Sequence, residues 1–366
     1  MTTTNPAAPA APLAPPDLAR IAKTVATKLP FRGDVTGLTP LAGDASNRRY
    51  FRVALKGKPS ALILMQLADP EGFKKSEEAV SGASVQIAEL PFTNVLAHLQ
   101  RTGVTVPQLH YYDREAGLLY LEDFGDLTLA EACRDADRAR LVSLYRQAID
   151  QLVLLQVKGT QPPAPGCIAF HRGFDVPLLM WEFDHFLEYG IVARLGQPMK
   201  PADDKAVRAE FQRIAELLAG QPQVFVHRDY HSRNLMVDGS RIGVIDFQDA
   251  LMGPATYDLA SLLKDAYIEL DDAVVDGLVD HFLDGLAAQG QGWADRAAFR
   301  RLFDFTSIQR NLKAAGRFVY IDRVKHNPKF LADIPRVLGY VKRNLSKYPE
   351  LATLRQHLAP YVSELQ

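Results

Sequence analysis

Residues 224–247, VFVHRDYHSRNLMVDGSRIGVIDF, alternate short apolar runs with polar positions. The apolar runs cover 224–226, 235–237 and 242–245. An Asp-Gly pair between the last two runs is typical of a hairpin turn. The spacing therefore predicts a strand, a polar loop carrying Asp229 and Asn234, and a β-hairpin that ends on Asp246. An acid directly after an apolar strand is costly unless it is paired or bound to a metal.

The residue types in this segment suit phosphoryl transfer to a hydroxyl group. Protein kinases use H-R-D-x-x-x-x-N followed by a second Asp, and this segment reads HRDYHSRN and then IDF. A hydroxyl nucleophile needs a carboxylate that orients it and takes its proton, which predicts Asp229 as the catalytic base. Mg²⁺ prefers carboxylate and amide oxygens, which predicts Asn234 and Asp246 as metal ligands.

The composition is typical of a globular protein with room for two domains. The 366 residues are 47% hydrophobic with a formal net charge of −1, and Lys and Arg are not clustered, which argues against nucleic-acid binding as the main task. No apolar run is long enough to predict membrane insertion. Residues 1–16, rich in Ala, Pro and Thr, predict a disordered tail rather than a signal peptide. We therefore expect a cytoplasmic protein in which Cys133 and Cys167 stay reduced; the oligomeric state is left open.

Periodicity divides the chain into a β-rich part, 17–122, and a helical part, 123–366, which predicts an α+β protein with two lobes. In the first part, a hairpin whose tip consists of small residues can offer backbone N–H groups to nucleotide phosphates. The tip comprises Gly43, Asp44, Ala45, Ser46 and Asn47, followed by Arg48. The extended link at Leu121 and Glu122 is predicted to offer backbone groups to an adenine ring.

Four segments of the chain resemble the aminoglycoside-phosphotransferase-like kinases. They are GDASNRRYFRV (43–53), VFVHRDYHSRNLMV (224–237), GVIDFQDALMGPATYDLASLLKDAY (243–267) and IQRNLKAAGRF (308–318). Within this family the chain is similar to the bacterial kinases that act on the anomeric hydroxyl of N-acetylmuramate and N-acetylglucosamine. The resemblance implies a protein-kinase-like fold with a small β-rich N-lobe that binds the nucleotide and a larger helical C-lobe that carries the catalytic and acceptor-binding residues.

The resemblance also implies the chemistry. Asp229 would be the base, Asn234 and Asp246 the Mg²⁺ ligands, and ATP the donor, with its phosphates under the hairpin at 43–48. The product would be a sugar 1-phosphate used in cell-wall recycling. The chain departs from the wider kinase pattern at Met65, where a strand lysine is expected, and we expect Arg48 or Arg49 to supply that charge instead.

The acceptor pocket is the part that the sequence determines least. Candidate acceptor-binding residues on the helical segments are Glu182, Asp184, Arg310 and Lys313. Either Arg310 or Lys313 could meet the lactyl carboxylate that distinguishes N-acetylmuramate from N-acetylglucosamine, although a surface salt bridge or helix packing explains each residue equally well. Asp258 is predicted to brace the catalytic loop through backbone N–H groups.

Two alternatives remain open at this stage. The enzyme could phosphorylate another small hydroxyl compound, such as an aminoglycoside, a choline-like amine, homoserine or a lipid alcohol. The chain could instead be a nucleotide-binding pseudokinase, for which Met65 is the one supporting residue. The presence of Asp229, Asn234 and Asp246 together favours an enzyme, because a scaffold needs none of the three. The role of residues 69–90 is left open.

Overall fold

The structure is a computed structural model that describes residues 14–41, 48–67 and 89–366. The chain divides into two compact units, one formed by Met1–Phe73 and Pro107–Asp123 and the other by Lys74–Val106 and Phe124–Gln366. Residues 1–13 of the predicted tail, 1–16, lie outside the described residues, as do 42–47, which include the predicted hairpin tip, and most of the segment 69–90.

The smaller unit is built on a five-stranded antiparallel sheet in the order β1-β2-β3-β5-β4. Its strands are β1 (Asp34–Leu41), β2 (Arg49–Lys56), β3 (Ala61–Gln66), β4 (Leu109–Asp113) and β5 (Leu118–Leu121). Helix α1 (Leu18–Lys28) begins at Asp17, whose side chain accepts a hydrogen bond from Ala19 N. Its apolar face, with Ile21 and Val25, packs against the buried residues of β2, β3 and β5.

Two partly buried ion pairs join elements of this unit. Arg20 of α1 bonds to both oxygens of Asp113 at the end of β4, with Nε–Oδ2 and Nη2–Oδ1 distances of 2.7 and 2.9 Å. Arg52 of β2 pairs in the same two-pronged way with Asp123, at 2.6 and 3.1 Å. The planar guanidinium suits this two-pronged geometry. The first pair joins α1 to the end of β4, and the second joins β2 to the residues that follow β5.

The larger unit is mainly helical. Its helices are α2 (Pro91–Leu99), α3 (Leu129–Arg134), α4 (Arg138–Thr160), α5 (Val176–His185), α6 (Pro201–Ala219), α7 (Thr256–Leu263), α8 (Asp272–Ala288), α9 (Arg296–Lys325), α10 (Ile334–Lys347) and α11 (Ala352–Leu358). The 30-residue α9 is the central element, and its neighbours include α5, α7 and α10. A π-helical segment, the wide helical turn Phe186–Ala193, continues α5 and packs against α9.

Two short hairpin-like sheets carry the loop singled out in the sequence. Strand β6 (Gln223–Val226) pairs with β9 (Leu251–Pro254), and β7 (Leu235–Asp238) pairs with β8 (Arg241–Val244). The β7–β8 turn contains Gly239 at φ +60°, a left-handed conformation that favours glycine. The hairpin predicted from the Asp-Gly pair is therefore confirmed, whereas β9 was not predicted.

The division of the chain differs from the sequence prediction in one respect. The predicted first lobe extended over 17–122, but α2 belongs to the larger unit. Phe92 of α2 stacks on Phe247, with ring centroids 5.0 Å apart, and Asn94 donates to Gly166 O and accepts from Ile168 N. These contacts join residues far apart in sequence, so local periodicity does not reveal them.

The remaining predictions about the chain can be compared directly. Cys133 and Cys167 are both buried and free. Among the described residues, the helices lack a stretch that is both long enough and apolar enough to span a bilayer.

Candidate active site

The predicted catalytic loop comprises residues 227–234, between β6 and β7, and is called the catalytic loop below. His227, its first residue, anchors it directly after β6. Its Nε2 lies 2.9 Å from Ile245 O, a group that can only accept, so Nε2 carries the proton. Nδ1 then accepts a hydrogen bond from Asp229 N at 3.3 Å. Burial lowers the pKa of His227, which keeps the ring in the neutral form that this arrangement needs. The imidazole thus fixes the backbone of Asp229 relative to the strand that leads to Asp246.

Asn234 is joined to the same loop by both its side chain and its backbone. Its Nδ2 donates to Asp229 O at 3.0 Å, and its backbone carbonyl accepts from Ile245 N at 3.1 Å. The amide nitrogen is therefore committed to the loop. The amide oxygen is the atom of this side chain that suits a cation.

Asp246 and Arg228 both have backbone conformations that side chains rarely adopt. Their φ angles are +65° and +80°, within the left-handed region. Such conformations cost of order 1–3 kcal/mol each and persist where the surrounding structure enforces them, often at active sites. Gln248 Nε2 donates to Asp246 Oδ1 at 3.0 Å and so helps to orient this carboxylate.

Asn234 and Asp246 fit a magnesium ion that takes its other ligands from elsewhere. Within the described residues, His, Cys, Asp and Glu side chains do not form a group of three or more able to hold a metal. Mg²⁺ is commonly bound by one or two protein ligands together with substrate phosphates and water. The donor set of one carboxylate and one amide oxygen matches that mode of binding.

Asp258 of α7 braces the loop by accepting hydrogen bonds from its backbone, as the sequence predicted. Its Oδ2 accepts from His227 N at 2.6 Å and its Oδ1 from Arg228 N at 3.0 Å. The side chain is fully buried, and burial raises its pKa to about 7 even though both N–H groups favour the ionised form. Asp258 therefore uses both oxygens to support the backbone next to Asp229.

A second buried acid, Asp265, supports the other end of the loop. Its Oδ2 accepts from Ser232 N at 2.9 Å and its Oδ1 from Tyr267 N at 3.1 Å. Sequence reasoning did not single it out. The available signal was an acid that follows the apolar helix α7, a position that is costly to bury without partners.

Glu182 lies at the centre of a buried charge cluster. Its side chain is fully buried, and Oε1 lies 2.8 Å from Lys313 Nζ and 3.2 Å from Arg228 Nη2. Gln309 Nε2 donates to Oε2 at 2.9 Å. The Glu182 carboxylate is thus surrounded by polar groups of the protein itself, and its predicted contact with the acceptor stays a prediction.

The same cluster sets the charge state of Asp229. Burial alone raises the pKa of this carboxyl, but the positive charges of Lys313, Arg228 and Arg310 outweigh burial and hold the pKa well below its usual range. Asp229 is therefore ionised across the neutral pH range. Burial lowers the pKa of Lys313, yet its neighbour Glu182 more than reverses this and raises the pKa above the usual range.

The remaining predicted acceptor residues have different surroundings. Asp184 lies on the exposed side of α5, opposite Glu182, and pairs with Arg208 of α6. The structure does not bring Asp184 together with the catalytic loop, because successive helical positions point in different directions. Lys313 is already paired with Glu182. Arg310 is buried on α9, one turn before Lys313.

The predicted nucleotide-binding residues are described only in part. Gly43, Asp44, Ala45, Ser46 and Asn47 lie outside the described residues, so their role stays a prediction. Arg48 lies directly before β2 and is half-buried, and the Arg49 guanidinium lies 5.0 Å from the centre of the Phe51 ring.

At the end of β5, Leu121 is buried and paired within the sheet. Glu122 N donates to Gln108 O at 2.9 Å, so this N–H group is engaged, while the prediction that backbone groups near Leu121 and Glu122 pair with adenine stays a prediction. Met65 is fully buried in β3, opposite Tyr50 and Leu119. A lysine at this position would place an ammonium group in buried surroundings, which is costly unless the charge is paired. The buried position therefore suits the methionine found here.

The α+β fold and the loop that presents Asp229, Asn234 and Asp246 define a phosphotransferase with a protein-kinase-like fold. The chain belongs to the phosphotransferase enzyme family, whose model matches residues 37–299.

Two curated relatives share one name, N-acetylmuramate/N-acetylglucosamine kinase. The protein from Pseudomonas putida is 34% identical over 327 residues, which cover 88% of this chain and 87% of that protein. The protein from Pseudomonas aeruginosa is 32% identical over 333 residues, covering 88% of each. Among solved structures, choline kinase from Cryptosporidium parvum matches with a TM-score of 0.60 at 12% identity, covering 92% of this chain and 98% of that chain, and so shares the fold.

Proposed function

We propose that this protein transfers the γ-phosphoryl group of ATP to the anomeric hydroxyl of N-acetylmuramate and N-acetylglucosamine. The observation that carries the proposal is the buried, braced loop around Asp229 in a chain that is 34% identical to a kinase named for these two sugars. The products would be ADP and the sugar 1-phosphate.

Asp229 is the residue that we assign to the acceptor hydroxyl. Its ionised carboxylate accepts a hydrogen bond from the hydroxyl, orients the oxygen towards phosphorus and receives the proton as the new O–P bond forms and the bond to the ADP oxygen breaks. The hydrogen bond from Asp229 N to His227 and the bracing by Asp258 hold this carboxylate in place before substrate binds. A fixed orientation supplies much of the rate in phosphoryl transfer.

Asn234 and Asp246 are the residues that we assign to magnesium. A bound Mg²⁺ would neutralise negative charge on the phosphates of ATP. Asn234 also donates to Asp229 O, so the metal-binding residue and the base belong to one hydrogen-bonded unit. This connection explains why the loop needs an amide at this position rather than a second carboxylate, which lacks the N–H donor.

The first test is ADP release by the purified protein with Mg²⁺-ATP against a panel of acceptors. The panel contains N-acetylmuramate, N-acetylglucosamine, kanamycin, choline, homoserine and a sphingoid lipid, and phosphorus NMR identifies the product. A sugar 1-phosphate supports the proposal. Turnover only with one of the other acceptors would keep the phosphotransferase and reject the sugar assignment.

The variant Asp229→Asn tests the assigned base. We expect loss of turnover by at least about a hundredfold, in line with the contribution of general base catalysis, while binding of ATP in equilibrium titration is retained. Asp184→Asn is the matched control because Asp184 is exposed and pairs with Arg208. Normal turnover by Asp229→Asn would reject the mechanism.

A further inference from the structure

Arg310 is a largely buried cation whose nearest charged neighbours, Asp229 and Asp258, act on it only at a distance. Its relative exposure is 7%, and within the part of the chain that the structure describes its guanidinium has neither a hydrogen bond nor an ion pair. The Arg310 nitrogens are not among the fully buried polar atoms without a partner in the described residues, so the guanidinium keeps some contact with water and its donors can reach a ligand. Its neighbour one turn along, Lys313, is fully paired with Glu182.

The position of Arg310 on α9 directs it to the side of the helix that supports the catalytic loop. Residues 306, 309, 310 and 313 share one face of a helix because they are spaced three or four apart. On this face, Thr306 bonds to Thr256 at 2.7 Å, and Lys313 Nζ donates to Tyr257 OH at 3.2 Å. Arg310 therefore lies between two contacts to the start of α7.

The start of α7 also carries Asp258, the residue that holds the backbone of His227 and Arg228. The charge on Arg310 is one of those that lower the pKa of Asp229. Arg310 is thus a cation near the base, on a rigid helix, with its donors unused. A planar guanidinium matches a carboxylate through two parallel hydrogen bonds.

We propose that Arg310 binds the carboxylate of the acceptor and is the residue that sets the preference for N-acetylmuramate over N-acetylglucosamine. The lactyl carboxylate is the anionic group by which the first sugar differs from the second. The inference rests on the proposed function. Lys313 is unsuited to the same role because its ammonium is already engaged by Glu182 and by Tyr257.

The test compares the two sugars in Arg310→Met, which keeps a long side chain and removes the charge. We measure kcat/KM for each sugar at saturating Mg²⁺-ATP. The ratio of the N-acetylmuramate value to the N-acetylglucosamine value should fall about tenfold to a hundredfold, the effect of losing a charged hydrogen bond. Arg310→Lys should give an intermediate ratio, because it keeps the charge without the two-pronged geometry.

Arg317→Met is the matched control. Arg317 lies two turns further along the same helix, with its guanidinium over the Tyr320 ring at 4.9 Å, and its replacement should leave the ratio unchanged. Thermal unfolding of each variant separates binding from folding. Removal of an unpaired buried charge should not lower the midpoint in Arg310→Met, whereas loss of a structural arginine would lower it.

Three other results would overturn the inference. Equal losses with both sugars in Arg310→Met would place the guanidinium on the transferred phosphoryl group instead. An unchanged ratio together with wild-type turnover of both sugars would reject the role of Arg310 and leave the proposed function intact. A wild-type protein inactive with both sugars would reject the proposed function and this inference with it.

Discussion

Lys313 Nζ and Glu182 Oε1 lie 2.8 Å apart, and the Glu182 side chain is fully buried. The same oxygen lies 3.2 Å from Arg228, the residue that precedes Asp229. One carboxylate from α5 therefore pairs with both a lysine from α9 and an arginine from the loop that carries Asp229. Because three elements meet at this carboxylate, its removal affects both the packing of the helices and the position of the base.

Replacement of Glu182 by Gln should be strongly destabilising. The change keeps the side-chain size but removes the buried anion that pairs directly with Lys313 and Arg228, and breaking a buried pair by removing one partner typically costs about 3–5 kcal/mol. Denaturant unfolding measures the loss. Asp184→Asn, two positions further along α5, removes one partner of an exposed ion pair and should cost at most about 1 kcal/mol.

The double variant Glu182→Gln/Lys313→Met distinguishes pairing from packing. It removes Lys313 together with the carboxylate that pairs with it, so its loss in the free energy of unfolding should be smaller than the sum of the two single losses. Strictly additive losses would show that the two side chains do not interact.

The raised pKa of Asp258 should make the free energy of unfolding fall as the pH rises from about 4 to about 7, the opposite of the usual effect of a carboxyl group. The pKa of Asp258 is about 7 in the folded protein and 3.8 in the reference state, so between about pH 4 and pH 7 the folded state holds a proton that the unfolded chain has released. The contribution to stability is therefore present below pH 4 and is lost as the pH rises through 7.

This loss amounts to at most about 4 kcal/mol, since one pKa unit corresponds to about 1.4 kcal/mol. Urea unfolding from pH 4 to pH 8 measures it, with Asp258→Asn as the reference that cannot titrate. We expect the wild type to lose stability relative to this variant as pH rises towards 7. Parallel curves for the two proteins would contradict the raised pKa.

Gly316 permits the close approach of α9 to the wide helical turn Phe186–Ala193. A Cβ at Gly316 would lie 2.7 Å from Phe186 Cα, which is backbone and cannot move aside cheaply. Gly316→Ala should therefore cost about 1–3 kcal/mol through overpacking. Thermal or denaturant unfolding measures this change.

Gly277 of α8 is the matched control for that substitution. A Cβ there meets nothing within 4 Å, and the residue is exposed. Gly277→Ala should stabilise the protein by about 0.5–1 kcal/mol, because alanine loses less backbone entropy in a helix. If both alanine variants changed stability alike, packing against Phe186 would not be the cause.

Asn234 should affect both the Mg²⁺ concentration that activity requires and the position of Asp229, the proposed base. Asn234→Asp keeps an oxygen ligand but loses the N–H that donates to Asp229 O. Asn234→Ala loses both and should raise the Mg²⁺ concentration for half-maximal activity by about tenfold or more, with a smaller rise in the Asp variant.

Activity measured against Mg²⁺ concentration at fixed ATP tests this order. Asp238→Asn, in the exposed hairpin pair with Arg241, should leave the requirement unchanged. An unchanged requirement in Asn234→Ala would remove Asn234 from the metal site.

Secondary-structure elements that depend on residues close together in the chain could be predicted from the amino-acid sequence. The predicted helix 272–288 agrees with α8, Asp272–Ala288, and the hairpin after Asn234 lies where its Asp-Gly turn placed it. The motif containing Asp229 also identified the class of chemistry, because the order of a base, an amide and a second acid is specific. These features rest on propensity and spacing over a few residues.

The partners of the buried charges depend on long-range contacts and emerge only in the folded chain. Arg310 and Lys313 look equivalent in the sequence, one turn apart on α9, but Lys313 makes a direct salt bridge to Glu182, whereas within the described chain Arg310 interacts with Asp229 and Asp258 only at a distance. The contact from Gln309 to Glu182 spans 127 positions. Local pattern does not encode such pairings, since they depend on how distant helices approach one another, and that approach is fixed by packing of the whole core.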